Sequence, residues 1–393
     1  MDPVRNPFAP GAGNPPPELA GRSLVIDQGL IALQRAAQGR PTQSLILVGL
    51  RGVGKTVLLV RLRSLAEKMG YKAALIEAHE GKTLAGMLVP ALRSILLSLS
   101  MVESAKDQAR RALRVLTGFI RSVKFTFSDL DMSFGIDTEP GSADSGDLES
   151  DLPTLFAIIG EAAKAAATPV VLLLDEMQYL SSKEFSALIM AIHRVNQDGL
   201  PLVLIGAGLP QILGLAGESK SYAERLFKYP EIGALSKTDA YMAILTPLDK
   251  EGVGIDLLAL NELLDKTERY PYFLQQWGHD SWNISSGPDI TMLDVRRAHG
   301  VAIAALDESF FKVRFDRCSP AEKRYMRALA EFGVGNHRSG DIADRLRVKT
   351  STVAPIRGKL IKKGMIYSPS HGDTGFTVPL FHSYMMRAIP ILD

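Results

Sequence analysis

Cysteine occurs only once in the 393 residues, at Cys318. No internal disulfide can form, and no Cys/His spacing outlines a metal cage, which fits a reducing compartment with Cys318 inert. Also lacking is any stretch near the roughly 20 uninterrupted apolar residues that a bilayer-spanning helix needs, and the Pro- and Gly-rich start, Met1 to Pro17, has no apolar run. The expectation is a cytoplasmic chain without a membrane partner. Nor does one sign of charge dominate, the formal net charge being +2. That balance hides an asymmetry: residues 319–393 hold 12 Lys+Arg against 6 Asp+Glu, net +6, while everything before them sums to −4. The tail reads as a separate basic unit, and a polyanionic partner is one consequence. A chain of this length exceeds what one hydrophobic core usually organises, so two or three domains are expected.

The prolines between Pro7 and Pro17 fix φ and remove donors, so the first 20 residues are expected as an extended arm lying on the body. A helix over about Ser23–Gln38 comes next. Gln43–Val48 is a continuous apolar run, the signature of a strand buried on both faces. A glycine loop, a helix to about Met69 and a strand at Lys72–Ala78 complete a βαβ unit, the start of a parallel sheet. Val170–Leu174 and Leu202–Gly206 add strands, giving at least four. Between the strand at Lys72–Ala78 and Val170 lies an insertion, about 103–151: a basic helix over Glu103–Ile120, two alternating segments at 123–127 and 132–136 that predict a β-hairpin, and an acidic, glycine-bearing loop from Glu139 to Asp151. That loop reads either as a linker capping a helix over Leu152–Ala166 or as a moving element between protomers. Ala240–Leu245, Ile255–Glu268, Tyr272–Ile284 and Met292–Leu306 are amphipathic and helical.

Two constellations carry chemistry. Gly49-Leu50-Arg51-Gly52-Val53-Gly54-Lys55-Thr56 matches G-x-x-x-x-G-K-[ST] between an apolar strand and a helix. Its glycines let backbone N–H groups wrap a phosphate at the helix N-terminus, where the dipole also favours anions. With ATP/ADP as the nucleotide, Lys55 is expected on the β/γ oxygens and Thr56 on Mg²⁺, with Val57 next along the loop. Val170–Leu174 followed by Asp175-Glu176 puts two carboxylates at a strand's C-terminal end, where open α/β sheets bind ligands. Asp175 is expected to hold Mg²⁺ through water and Glu176 to polarise an attacking water.

From Ala20 to Asp307 these motifs, with Ala20-Gly21-Arg22, Glu224-Arg225-Leu226-Phe227 and Tyr270-Pro271-Tyr272-Phe273-Leu274, resemble the AAA+ superfamily. The likeness is to the branch joining archaeal-type ATPases, origin-recognition-like initiators and STAND signalling ATPases, and the sequence also resembles a widespread group of bacterial ATP-binding proteins. The resemblance implies that Arg22 and Pro271 line the nucleotide pocket and that Arg225 is an arginine finger for a neighbouring subunit, the alternative being a surface ion pair. It also exposes departures: no polar sensor follows Leu202–Gly206 except Gln211, Arg269 stands where the lid motif has Gly, and the initiators' second sensor arginine is missing.

The tail resembles the winged-helix module of the same ATPases. Ser319–Phe332 is its first helix, with Ser319 as cap, Pro320 at the first position and Glu322 closing a capping box; Ser339–Leu346 and Ser351–Lys363 follow. Residues 364–367 and 376–378 would form the wing. Lys349, Arg357, Lys359, Lys362 and Lys363 make a footprint for duplex DNA, although Pro355 weakens base reading and such modules also dock proteins. The implied organisation is an arm (1–20), an α/β P-loop core with a parallel sheet (21–237), a helical lid (238–310) and a winged-helix domain (319–393). The implied function is Mg-dependent ATP hydrolysis coupled to conformation or nucleotide-dependent homo-oligomer assembly, with DNA binding through the tail. The alternative is a STAND-like switch acting on a protein partner.

Overall fold

A computed structural model describes residues 1–11, 13–122, 138–219, 223–370 and 372–392. The expected β-hairpin at 123–127 and 132–136 lies outside the described residues, as do Ser221, Tyr222 and the wing residue His371. The apolar runs form a five-stranded parallel sheet: β1 (Ser44–Val48), β2 (Lys72–Glu77), β3 (Val170–Asp175), β4 (Leu202–Gly208) and β5 (Phe227–Lys228), in spatial order β2-β3-β4-β1-β5. Every residue of β1, β3 and β4 is buried, whereas β2 buries only Ile76 completely. This explains the order. Strands apolar on both faces occupy the middle, and the half-polar β2 goes to an edge, with β3 and β4 between it and β1.

Alternate residues of the strands feed two cores. Leu45, Leu47, Val171, Leu173, Val203 and Ile205 pack with α1 (Ser23–Ala37) and α2 (Lys55–Lys68). Ile46, Val48, Leu172, Leu174, Leu202 and Leu204 pack with α3 (Leu84–Leu99), α4 (Lys106–Ser122), α5 (Leu148–Ala165) and α6 (Ser182–Gln197), and with α7 (Ile212–Ser219) and α8 (Ala223–Leu226). The basic helix of the insertion is therefore part of the body: its Ala109, Ala112, Leu116 and Phe119 are buried. Helix α5 begins four residues before the expected Leu152, at Leu148. Its N-cap is Asp147, without a side-chain cap bond, while Asp151 is buried within the first turns and accepts from Ser145 N–H (3.2 Å), Ser145 Oγ (2.8 Å) and Gly146 N–H (2.9 Å), pinning the acidic loop.

The first core continues into α9 (Lys237–Glu251), α10 (Leu257–Lys266), α11 (Pro271–Ile284) and α12 (Met292–Ala305), with β6 (Gly254–Ile255) paired to β7 (Asp289–Ile290). Helix α9 runs six residues past the expected end at Leu245, with Pro247 buried inside it and Gly252 supplying the left-handed stop. A π-helical turn at Leu306–Phe311 leads into α13 (Lys312–Asp316). Beyond it come α14 (Pro320–Glu331), β8 (His337–Arg338), α15 (Ser339–Arg345), α16 (Thr350–Lys362), β9 (Ile366–Tyr367), β10 (Asp373–Phe376) and α17 (Phe381–Ala388). Ser319 and Glu322 form the capping box expected of them. β8, β10 and β9 make an antiparallel sheet, one strand more than expected. This C-terminal region packs on the turn before it: Phe311 lies 5.6 Å from Phe381 and 5.3 Å from Tyr384, and Arg387 pairs with Asp307 at 2.7 Å.

Candidate nucleotide site

The order of the sheet places β4 between the glycine-loop strand β1 and the carboxylate strand β3, so the loop and the two acids share one edge of the sheet. Gly49 N–H donates to Gly208 O at 3.1 Å, tying loop to β4. No side chain fits at Gly49, since a Cβ there would stand 2.1 Å from the Ile232 carbonyl oxygen. Gly54 has φ +92° and nothing within 4 Å of where a Cβ would be, which leaves the mouth of the loop open at the N-terminus of α2.

Within this cradle Lys55 is 7% exposed, and its Nζ donates to the carbonyls of Gly49 and Leu50, both at 2.8 Å. Burial pushes its pKa down to about 8, against the pull of Glu176 and Asp175. Thr56 Oγ1 donates to Asp175 Oδ2 at 2.5 Å, and Asp175 Oδ1 accepts Glu176 N–H at 2.8 Å. Burial raises the Asp175 pKa, and the Thr56 hydrogen bond opposes that rise. A hydroxyl and a carboxylate in contact beside a phosphate cradle are the hard oxygen donors that suit Mg²⁺.

Glu176 sits at φ +53°, a left-handed conformation that turns its side chain toward the loop. Arg51 Nη1 reaches Glu176 Oε1 at 3.4 Å and Arg51 Nη2 donates to Tyr179 Oη at 3.0 Å. Gln178 Nε2 donates to the other carboxylate oxygen of Glu176, and Gln178 Oε1 accepts Leu209 N–H at 3.0 Å. The residue after β4 thus reaches Glu176 through a backbone N–H and Gln178. Gln211 does not line the cavity, and its Oε1 is buried without a hydrogen-bond partner among the described residues.

A cavity of about 360 Å³ opens from the loop. Arg22, Arg51, Gly52, Val53, Gly54, Lys55, Thr56, Val57, Glu176 and Pro271 line it, while Gly49, Leu50 and Asp175 do not. Arg22 donates to Val53 O (3.3 Å) and Gly233 O (2.6 Å), and burial depresses its pKa. Sequence reasoning missed the arm's part in this wall, to which Ala9, Gly11, Gly13, Asn14, Pro16, Glu18, Leu19 and Ala20 contribute. The arm is fixed on α11: Phe8, 2% exposed, fills the notch at Gly278, and Trp282 Nε1 donates to Asp2 O at 2.8 Å. Two further contacts roof the loop, Tyr272 N–H to Gly52 O (3.2 Å) and Arg51 N–H to Thr377 O (3.0 Å), the latter from the C-terminal region.

Arg225 is not brought to this cavity. Its helix α8 precedes β5, whose Phe227 pairs with Ser44 at the far end of β1 from the loop, and Arg225 is exposed with its carbonyl accepting from Gln43. On α16, Lys349, Lys359 and Lys362 are exposed. Arg357 turns inward to Thr374 Oγ1 (2.8 Å), Asp373 O (2.8 Å) and Ser368 Oγ, and Lys363 binds Glu322 (2.7 Å) and Arg317 O (2.9 Å). Pro355 lies inside α16, which nonetheless runs unbroken.

The chain is similar to known proteins in fold and in part of its sequence. Over 93% of this chain and 96% of the other, the fold is similar to that of a Walker-type ATPase of Pyrococcus abyssi, with TM-score 0.56 and 17% identity. The Orc1 protein of Aeropyrum pernix, solved in complex with DNA, aligns over 98% of this chain and 96% of its own at 15% identity, with TM-score 0.49. No curated protein matches the sequence. Residues 308–385 match a domain of unknown function, DUF8462. The segment that holds the loop, Lys55, Thr56, Asp175 and Glu176, residues 18–205, matches the AAA ATPase domain.

Proposed function

We propose that the protein binds ATP in the cavity above Gly49–Thr56 and hydrolyses it to ADP and phosphate. The observation that carries this reading is the 2.5 Å contact between Thr56 Oγ1 and Asp175 Oδ2 beside a buried Lys55 on an open glycine cradle. Lys55 exchanges its two loop carbonyls for β- and γ-phosphate oxygens, and loop N–H groups take the β-phosphate. Thr56 and, through water, Asp175 would hold Mg²⁺, which would supply positive charge beside the phosphates. Glu176, oriented by Arg51 and Gln178, polarises the water that displaces ADP. Arg22, Pro271 and the arm enclose the nucleoside end. Phosphate release from Mg·ATP tests the reading: turnover by the wild type that survives Glu176→Gln unchanged would remove Glu176 from the reaction.

The 3.0 Å bond from Arg51 N–H to Thr377 O supports coupling of nucleotide state to the C-terminal region, which we read as a winged helix above the phosphate end. Its exposed Lys349, Lys359 and Lys362 are the DNA contacts of this proposal. A second reading, docking of a protein partner, is favoured by the inward commitment of Arg357 and Lys363, which thins the cationic face. Arg225, exposed and remote from its own cavity, is proposed to act in a neighbouring subunit of a nucleotide-dependent homo-oligomer. Mixing Arg225→Ala with Lys55→Ala protein should restore part of the turnover that each lacks; no restoration contradicts that role.

A further inference from the structure

Arg314 comes to the nucleotide cavity from the connection between α12 and α14. It stands on α13, just past the π-helical turn at Leu306–Phe311. Such a turn takes up one residue more than an α turn, which rotates everything after it by about 100°. Phe310 and Arg314 both line the cavity, together with Arg51, Lys55 and Tyr272.

The placement is fixed by stacking. The Arg314 guanidinium lies over the Phe310 ring, 3.8 Å from its centroid, and that ring stacks on Tyr272 at 5.1 Å and 21°. Arg314 Nη1 donates to Phe310 O at 2.7 Å, which leaves other guanidinium N–H groups uncommitted. No carboxylate among the described residues forms an ion pair with it. Glu176, the acid whose charge reaches it, is paired with Arg51 at 3.4 Å. Burial and the neighbouring Arg51 push the Arg314 pKa down to about 10. A desolvated cation placed beside two others is unfavourable until an anion joins them.

We propose that Arg314 binds the terminal phosphate of the bound triphosphate, in cis, as a cation additional to Lys55. The inference rests on the ATPase reading above. A diphosphate lacks the group that Arg314 would hold, so the contact reports whether hydrolysis has happened. Its mechanical reach is short: Phe315, next to Arg314, lies 5.8 Å from Tyr384 of α17, and Phe311 touches the same ring. Loss of the terminal phosphate therefore loosens the helix on which the C-terminal region is seated.

The test compares dissociation constants of a slowly hydrolysed Mg·ATP analogue and Mg·ADP for wild type, Arg314→Gln and Arg314→Lys. Loss of one charge-assisted contact should weaken the triphosphate analogue about 10- to 100-fold in Arg314→Gln and leave ADP affinity unchanged, with Arg314→Lys intermediate. Equal weakening of both nucleotides, or of neither, overturns the inference while the ATPase reading stands. Wild type that binds neither nucleotide overturns both. Should Arg314→Gln fail to fold, hydrogen exchange of wild-type residues 312–316 decides instead: slower exchange with the triphosphate analogue than with ADP supports the contact, and equal exchange refutes it.

Discussion

Around the nucleotide cavity, Lys55, Arg22, Arg51 and Arg314 are withdrawn from water, each held by backbone carbonyls, an aromatic ring or a carboxylate. Along α16, Lys349, Lys359 and Lys362 stand in solvent, while Arg357 and Lys363 are turned back into their own region. The two groups obey different physics. Removing a cation from water is unfavourable unless something replaces its hydration, so the first group is held in fixed positions, as the proposed binding of a phosphate requires. An exposed lysine meets no such requirement, and the second group specifies only a charged surface.

Several measurements would break or sharpen that contrast. The largest effect is expected at Glu176: Glu176→Gln should lower ATP turnover about 100- to 10,000-fold with nucleotide affinity kept, as read by phosphate release beside equilibrium binding. On the exposed side, replacing Lys349, Lys359 and Lys362 together by Ala should leave ATP affinity untouched and flatten the slope of log DNA affinity against log salt by about 2.7. Arg357→Ala sharpens the comparison, because it should lower the melting temperature and leave that slope in place; the reverse result would make Arg357 a surface residue in function.

Lys55 gives a pH signature that no exposed lysine can share. Its pKa is about 8 in the folded chain against an ordinary 10.5. Below pH 8 both folded and unfolded chains carry the ammonium, and the burial penalty is present in full. Between 8 and 10.5 the unfolded chain holds a proton that the folded one has lost, so this group makes stability rise with pH across that window. Phosphates restore the charge. ATP binding above pH 8 should therefore take up as much as about one proton and weaken as pH increases, measurable by calorimetry in buffers of different ionisation enthalpy. The smallest effect is at the α14 cap: Ser319→Ala should cost about 1 kcal/mol of stability with no change in nucleotide affinity, checked by denaturant unfolding.

The glycine loop and the carboxylate pair were legible as neighbours because residue type and spacing mark both, and the central strands because they are apolar without interruption. The sequence was silent where placement depends on packing. β5 is two residues long, too short for any period. Pro247 lies buried inside a helix that was expected from the sequence to end at Leu245. The arm has no periodicity, and its place in the cavity wall follows from Phe8 entering the notch at Gly278. Arg314 looks like one more charge in a short polar helix; only the π turn before it decides which way it faces. Gln211 is the first polar residue after β4, yet the link to Glu176 runs through Leu209 N–H and Gln178.

The central claim is that the cradle around Lys55 receives a triphosphate. Titration calorimetry of Mg·ATP into the wild type and into Lys55→Ala tests it most directly. Saturable one-to-one heat from the wild type and a flat trace from the variant are the expected pair; no heat from the wild type, or the same isotherm from both, would contradict the account.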